Sequence, residues 1–231
     1  SDYPSVIKKI QEDDLPQNIP DKNGWNDIGD YEIGQTVPYK YESNIPNMNG
    51  YKTYYYAWHD KMDKALTFQP ESVKITISDE KGKSYTLKKG EFTVNTNPGG
   101  EDTFQVVVQD IKAIVDRQFP NFNAKQENTY GQKVTLTYEA TLNDLAANDT
   151  GRPGFENDVR LEFSNDADSN GDGKTGFTPW DTVVCFTYRI DITKTNDHDK
   201  VLQGAHFRLY SDKDCKNEVY VKQGDTGYHV I

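Results

Sequence analysis

Apolar and polar residues alternate along much of the chain. From Lys133 to Leu142, Val134, Leu136, Tyr138, Ala140 and Leu142 take one parity, while Lys133, Thr135, Thr137, Glu139 and Thr141 take the other. A period of two predicts a half-buried strand, because successive strand side chains point to opposite faces. Tyr31, Ile33, Val37, Tyr39 and Tyr41 share one parity, as do Val73, Ile75 and Ile77, and Phe104 to Val108 is a further strand candidate. The best helical spacing is Asp110 to Phe119, which sets Ile111, Ile114 and Val115 on one side and stops at Pro120. Turn clusters such as Asn47-Met48-Asn49-Gly50 and Asn97-Pro98-Gly99-Gly100 separate the strands. Many strands joined by polar turns predict an all-β chain folded as a β-sandwich.

Three polar residues break the pattern by falling in phase with apolar ones. Lys8 shares its parity with Val6 and Ile10, and Asp60 is in step with Tyr54, Tyr56, Trp58 and Met62. Asn157 is in step with Val159, Leu161 and Phe163. An amine, a carboxylic acid and a carboxamide are thus each aimed at an apolar interior, where an unpartnered polar group is costly. In a dry site an amine and a carboxamide can condense to an amide and release ammonia, with an acid to move the protons. The same residues also admit a buried Lys8–Asp60 ion pair with the amide of Asn157 hydrogen-bonded beside it. In phase with Asp60, Tyr54, Tyr56 and Trp58 read as core rather than as a sugar-stacking platform.

Composition narrows the class. The 231 residues suffice for one large or two ordinary domains. Hydrophobic content is low at 34%, but Tyr, Phe and Trp make up 12%, which argues against disorder. A net charge of −11 argues against nucleic acid and anionic membrane surfaces as partners. No stretch approaches transmembrane length and no signal peptide is present, so the chain is expected to be an excised fragment. Cys185 and Cys215 make no disulfide framework and read as isolated thiols, and the four histidines, without metal-ligand spacing, read as surface or turn residues.

An organisational boundary falls near residue 186. Beyond it Phe186, Tyr188, Ile190, Ile192 and Lys194 share a parity, so a lysine again closes an inward series, and Ala205, Phe207 and Leu209 form the next run. The chain is therefore divided into residues 1–185 and a shorter module, 186–231, that is too small for an independent sandwich.

Taken in order, several segments resemble a family. They are Pro4 to Ile10 (P-x-V-x-K-K-I), Ile33 to Val37, Tyr55 to Phe68, Thr137 to Ala146, and Phe155 to Asp166. Together they resemble the isopeptide-forming central domain of the major (backbone) pilins of sortase-assembled Gram-positive pili. The resemblance implies a collagen-adhesin A-type, immunoglobulin-like sandwich. Ile192 to Thr195 and Leu202 to Tyr210 resemble the opening of a collagen-adhesin B-type domain. Carried over, the bond-forming lysine is Lys8, the asparagine Asn157 and the catalytic acid Asp60. Lys194 would be the lysine of a second bond whose partner lies outside this chain. Ala65 stands where the family often has glycine, and Tyr3-Pro4 is followed by Ser5 rather than the polymerising lysine. With no sorting motif either, the fragment is not expected to polymerise by itself.

The resemblance implies a structural shaft subunit, extracellular and attached to the cell wall, with neighbouring pilin subunits and sortase as partners. A cell-wall-anchored adhesin that binds a host ligand is the alternative. Bond formation turns over once, so the protein is not an enzyme in the usual sense. No cofactor is required. One acidic turn, Asp166, Asp168, Asn170 and Asp172 around Gly171, has the alternating oxygens of a calcium loop but lacks its closing glutamate, having Phe177 at that place. It admits both a calcium site and a solvated turn.

Overall fold

The computed structural model describes residues 3–12, 24–151, 153–167, 174–188, 195–198, 200, 206–224 and 227–230. In chain order the strands are β1 (Val6–Gln11), β2 (Trp25–Asn26), β3 (Ile28–Asp30), β4 (Thr36–Asn44), β5 (Tyr56–Met62), β6 (Leu66–Ser78), β7 (Ser84–Thr86), β8 (Thr93–Asn95), β9 (Phe104–Val108), β10 (Lys133–Leu142), β11 (Phe155–Ser164), β12 (Thr175–Phe177) and β13 (Asp181–Phe186), with helix α1 (Ile111–Gln118) between β9 and β10. One sheet has the order β2-β1-β4-β10-β6-β7, and the other β3-β13-β11-β5-β9-β8 with β12 on the side of β11. The sheets face one another across a single apolar core, giving an immunoglobulin-like β-sandwich.

The alternation fixes which face each strand buries. On β4, Val37, Tyr39 and Tyr41 point inward, and on β10 so do Val134, Leu136, Tyr138, Ala140 and Leu142. Phe104, Val106 and Val108 answer them from β9. Aromatic rings fill the space between: Phe68 stacks on Phe104 at 3.5 Å, and Tyr138 meets Phe104 edge-on at 5.1 Å. Strand β5 departs from alternation, since Tyr56, Ala57, Trp58, His59 and Asp60 are all buried. It lies between β9 and β11, and its outer face is covered as well.

Helix α1 follows from its spacing and its cap. Asp110 accepts the Ala113 N–H as N-cap, and Ile111, Ile114 and Val115 are the buried residues. The same carboxylate accepts the Tyr54 N–H at 3.0 Å, which fastens the helix start to the segment entering β5.

The pairing of β10 with β6 is irregular at one point. Thr137 pairs with Lys74, but Glu139 pairs with Gln69, so Tyr138 alone faces an excursion of β6. Ser72 on that excursion accepts the Glu139 N–H at 2.8 Å and donates to the Gln69 carbonyl at 2.6 Å. Such an irregularity bends a strand and re-aims a side chain.

Among the described residues the expected inward series reaches Phe186 but not Tyr188. Phe186 is 9% exposed but Tyr188 is 66% exposed, because the strand ends at Phe186. Ile190, Ile192 and Lys194 lie outside the described residues. Of the next run, Ala205 lies outside them too, Phe207 is exposed, and Leu209 begins the two-residue strand β14 (Leu209–Tyr210). This pairs with β15 (Glu218–Val219), and β16 (Val221–Gly224) pairs with β17 (Gly227–Val230).

Candidate functional site

Lys8 enters the core from one sheet, and Asp60 and Asn157 enter it from the other. On β1, Lys8 lies opposite Tyr41 of β4. On the facing sheet Asp60 of β5 pairs with Val159 of β11, so Asn157, two residues away on β11, is its diagonal neighbour on the same face. Strand β1 is held in place at this level by Asp181 of β13, whose carboxylate accepts the Lys8 backbone N–H at 2.7 Å. All three side chains are fully buried.

They meet at one point. Lys8 Nζ donates to Asp60 Oδ2 at 2.7 Å and, in a short contact, to Asn157 Oδ1. Tyr138 donates its hydroxyl to the same Asp60 oxygen at 2.9 Å, and Tyr41 does so in a short hydrogen bond. Asn157 Nδ2 donates to the Tyr138 hydroxyl at 2.7 Å. The amine sits 5.2 to 5.5 Å from the ring centres of Tyr39, Tyr41 and Tyr138. Among the described residues Asp60 Oδ1 has no hydrogen-bond partner.

Burial works on the two ionisable groups in the direction of neutrality. It pulls the Lys8 amine down to about 8, against the opposing pull of the Asp60 charge. It raises the Asp60 carboxyl although Lys8, Tyr41 and Tyr138 all favour its charged form. The unpartnered Oδ1 adds to the cost of a full carboxylate there. Both shifts thus favour the uncharged forms, the free amine and the carboxylic acid. An uncharged amine beside an amide carbonyl, with an acid in contact and water excluded, has the groups that transamidation needs.

The tyrosine hydroxyls escaped the sequence reading. Parity put the rings of Tyr41 and Tyr138 inward as core, but parity names a face and not a partner. The available signal was chemical: an inward tyrosine in place of phenylalanine brings a phenol that must be hydrogen-bonded.

Elsewhere the structure corrects one expectation. His59 is neither a surface nor a turn residue but is 7% exposed. Its Nδ1 lies 2.5 Å from Asp102 Oδ2 and its Nε2 lies 2.8 Å from Glu162 Oε1. Burial opposes a charge on the ring, but the hydrogen bonds to Glu162 and Asp102 outweigh it and raise the imidazole pKa. Tyr54, Tyr56 and Trp58 are buried and offer no platform for stacking. Cys185 is a buried free thiol and Cys215 an exposed one. Of the acidic turn, Asp166 pairs with Lys174 at 3.1 Å, while Asp168, Asn170 and Asp172 lie outside the described residues. Among the described residues no group of three or more His, Cys, Asp or Glu is placed to hold a metal ion. Lys194, the remaining predicted site residue, lies outside the described set.

No family model matches the chain, and no curated protein matches it. Solved structures do. A C-terminal fragment of the major pilin GBS80 of Streptococcus agalactiae superposes with a TM-score of 0.58 at 17% identity, over 87% of this chain and 62% of that one. The T6 backbone pilin of serotype M6 Streptococcus pyogenes gives 0.52 at 19% identity, over 98% and 45%. BcpA, the major pilin subunit of Bacillus cereus, gives 0.51 at 18% identity, over 98% and 54%. This chain thus spans less than two thirds of each of these pilin chains. At such identities the likeness is one of fold: the chain has the immunoglobulin-like sandwich architecture found in pilus backbone subunits.

Proposed function

We propose that this chain is part of the shaft subunit of a covalently polymerised pilus on a Gram-positive cell surface. In this reading a self-formed isopeptide bond joins Lys8 to Asn157. The observation that carries it is the meeting of Lys8 with Asp60 and Asn157, delivered by opposite sheets into a dry core of a pilin-like fold. The neutral Lys8 Nζ attacks Asn157 Cγ, and the π electrons move onto Oδ1. Nζ gives a proton to Asp60, Nδ2 receives one, the Cγ–Nδ2 bond breaks, and ammonia departs as the carbonyl re-forms. Asp60 gives one proton and takes one, so it ends as it began. The reaction occurs once per chain.

The wider assignment has the same standing. Residues 1–185 form the bond-bearing A-type domain, and 186–231 form part of a B-type domain whose Lys194 awaits a partner elsewhere in the full-length protein. Neighbouring pilin subunits and sortase are the partners in assembly.

Intact mass spectrometry tests the bond directly. The expected mass is that of the sequence less one ammonia, with one branched tryptic peptide containing both Lys8 and Asn157. Recovery of both residues in separate unmodified peptides, at full mass, sinks the proposal. Asp60→Ala should fold and keep the full mass; a variant that loses ammonia as the parent does removes Asp60 from the mechanism.

A further inference from the structure

We propose that Tyr138 is a catalytic residue of this reaction, the group that hands the proton to the departing nitrogen of Asn157. The inference rests on the proposed Lys8–Asn157 bond and adds the route that its protons take. Asp60 takes up the Lys8 proton at 2.7 Å, but its hydrogen bonds run to Lys8, Tyr41 and Tyr138, and none reaches Asn157 Nδ2. Nδ2 donates to the Tyr138 hydroxyl at 2.7 Å, and that hydroxyl is in turn 2.9 Å from Asp60 Oδ2; the Tyr39 hydroxyl also lies near Asn157 but makes no hydrogen bond among the described residues. Tyr138 therefore stands between the acid and the leaving group.

The direction of the chain of hydrogen bonds changes at the right moment. In the starting amide the Nδ2 lone pair is drawn into the carbonyl, so Nδ2 only donates, as it does to Tyr138. Once Nζ has added to Cγ the carbon is tetrahedral, and Nδ2 regains a lone pair that can accept. Tyr138 then gives its proton to Nδ2 while taking the acid proton of Asp60, and the proton of Nζ refills Asp60. The phenol ends as a phenol, and no phenolate need form. Rotation about one C–O bond is the only movement required of Tyr138.

The surroundings hold that oxygen in position. The Tyr138 ring is 1% exposed, stacks on Tyr39 at 5.3 Å, and meets the edges or faces of Phe104 and Phe68 at 5.1 and 5.5 Å. It also stands at the one irregular point in the β10–β6 ladder. Tyr41 supplies an internal comparison. It donates to the same Asp60 oxygen yet makes no contact with Asn157, so it can tune the acid but cannot protonate the leaving group.

The test compares the parent chain with Tyr138→Phe and Tyr41→Phe. Each is recovered unfolded and uncrosslinked and then diluted out of denaturant. Ammonia loss is followed by intact mass, and folding by tryptophan fluorescence. A group that transfers a proton in the transition state contributes roughly 10²- to 10⁴-fold. Tyr138→Phe should therefore slow ammonia loss by at least about 100-fold, and Tyr41→Phe by less than about tenfold. Equal rates for the two phenylalanine variants overturn the relay while leaving the bond in place. A parent chain that releases no ammonia overturns the bond and the relay together. If Tyr138→Phe does not fold, a proton inventory on the parent chain in mixed light and heavy water decides: several protons in flight support the relay, and a strictly one-proton dependence overturns it.

Discussion

Replacing Lys8 with methionine removes the crosslink and reads its contribution to stability together with that of the polar groups it leaves. Methionine matches the length of the lysine stem, carries no charge and adapts to the shape of a core. Asp60, already pushed toward its neutral form by burial, keeps its tyrosine donors. The bond would close a loop of 149 residues. By the chain-entropy relation for crosslinks, a loop that long lowers the free energy of folding by about 5 kcal/mol. The polar remnant around Asp60 adds about 1–3 kcal/mol of loss in the variant. For a domain of this size each kcal/mol moves the melting temperature by about 2–4 °C, so Lys8→Met should melt at least about 10 °C below the parent. Calorimetric melts of both proteins, with intact masses measured on the same samples, give the comparison. A parent that is crosslinked by mass yet melts within about 5 °C of Lys8→Met would refute the entropic reasoning.

Two further outcomes are expected. The raised pKa of His59 means that the folded state binds its proton more tightly than the unfolded chain does. The resulting stability is fully present below the unfolded value of about 6.5 and is lost as pH rises through the folded value. The urea midpoint of the parent should thus exceed that of His59→Gln most at acid pH and converge on it in mild alkali; a gap that widens with pH contradicts the arrangement with Asp102 and Glu162. Gly154, just ahead of β11, has φ +85° and no room for a Cβ, which would lie 2.7 Å from Val184 Cγ1 and 2.8 Å from the Cys185 carbonyl oxygen. Gly154→Ala should cost at least about 1–2 kcal/mol by its backbone conformation alone, read as a lowered urea midpoint, and an unchanged midpoint would show that the turn can relax.

What the sequence reveals here depends on what alternation can encode. Period two separates the faces of a strand, so Val134 to Leu142 is readable as β10, and Lys8, Asp60 and Asn157 are readable as inward. It carries no information on which strand lies across the core. That β1 stands opposite β5 and β11, and so brings those three together, is a fact of topology. It cannot say what covers the second face of a strand either. His59 has the outward parity on β5, yet it is buried because β9 and β11 flank the strand and Asp102, Glu162 and Phe177 close over the ring. Met48 illustrates the same limit: it lies in a cluster of turn residues, and its side chain is wholly buried in the core. Helix α1 is legible from its own segment, because spacing, an N-cap aspartate and a following proline agree locally.

The position of Lys8 on β1 has a consequence for tension. Take a pull applied to the backbone before β1 and after β13. Without a crosslink the whole backbone between those points is in series, and unfolding lengthens all of it. With Lys8 joined to Asn157, the load leaves the backbone at β1, crosses through two side chains and re-enters at β11. Everything from Lys9 to Glu156, including β4 to β10 and α1, then hangs from the loaded line as an unstressed appendage. Only the stretch from β11 to β13 could still extend. Loops of the appendage away from Asp60 and Tyr138 could then lengthen or change in sequence without weakening the line.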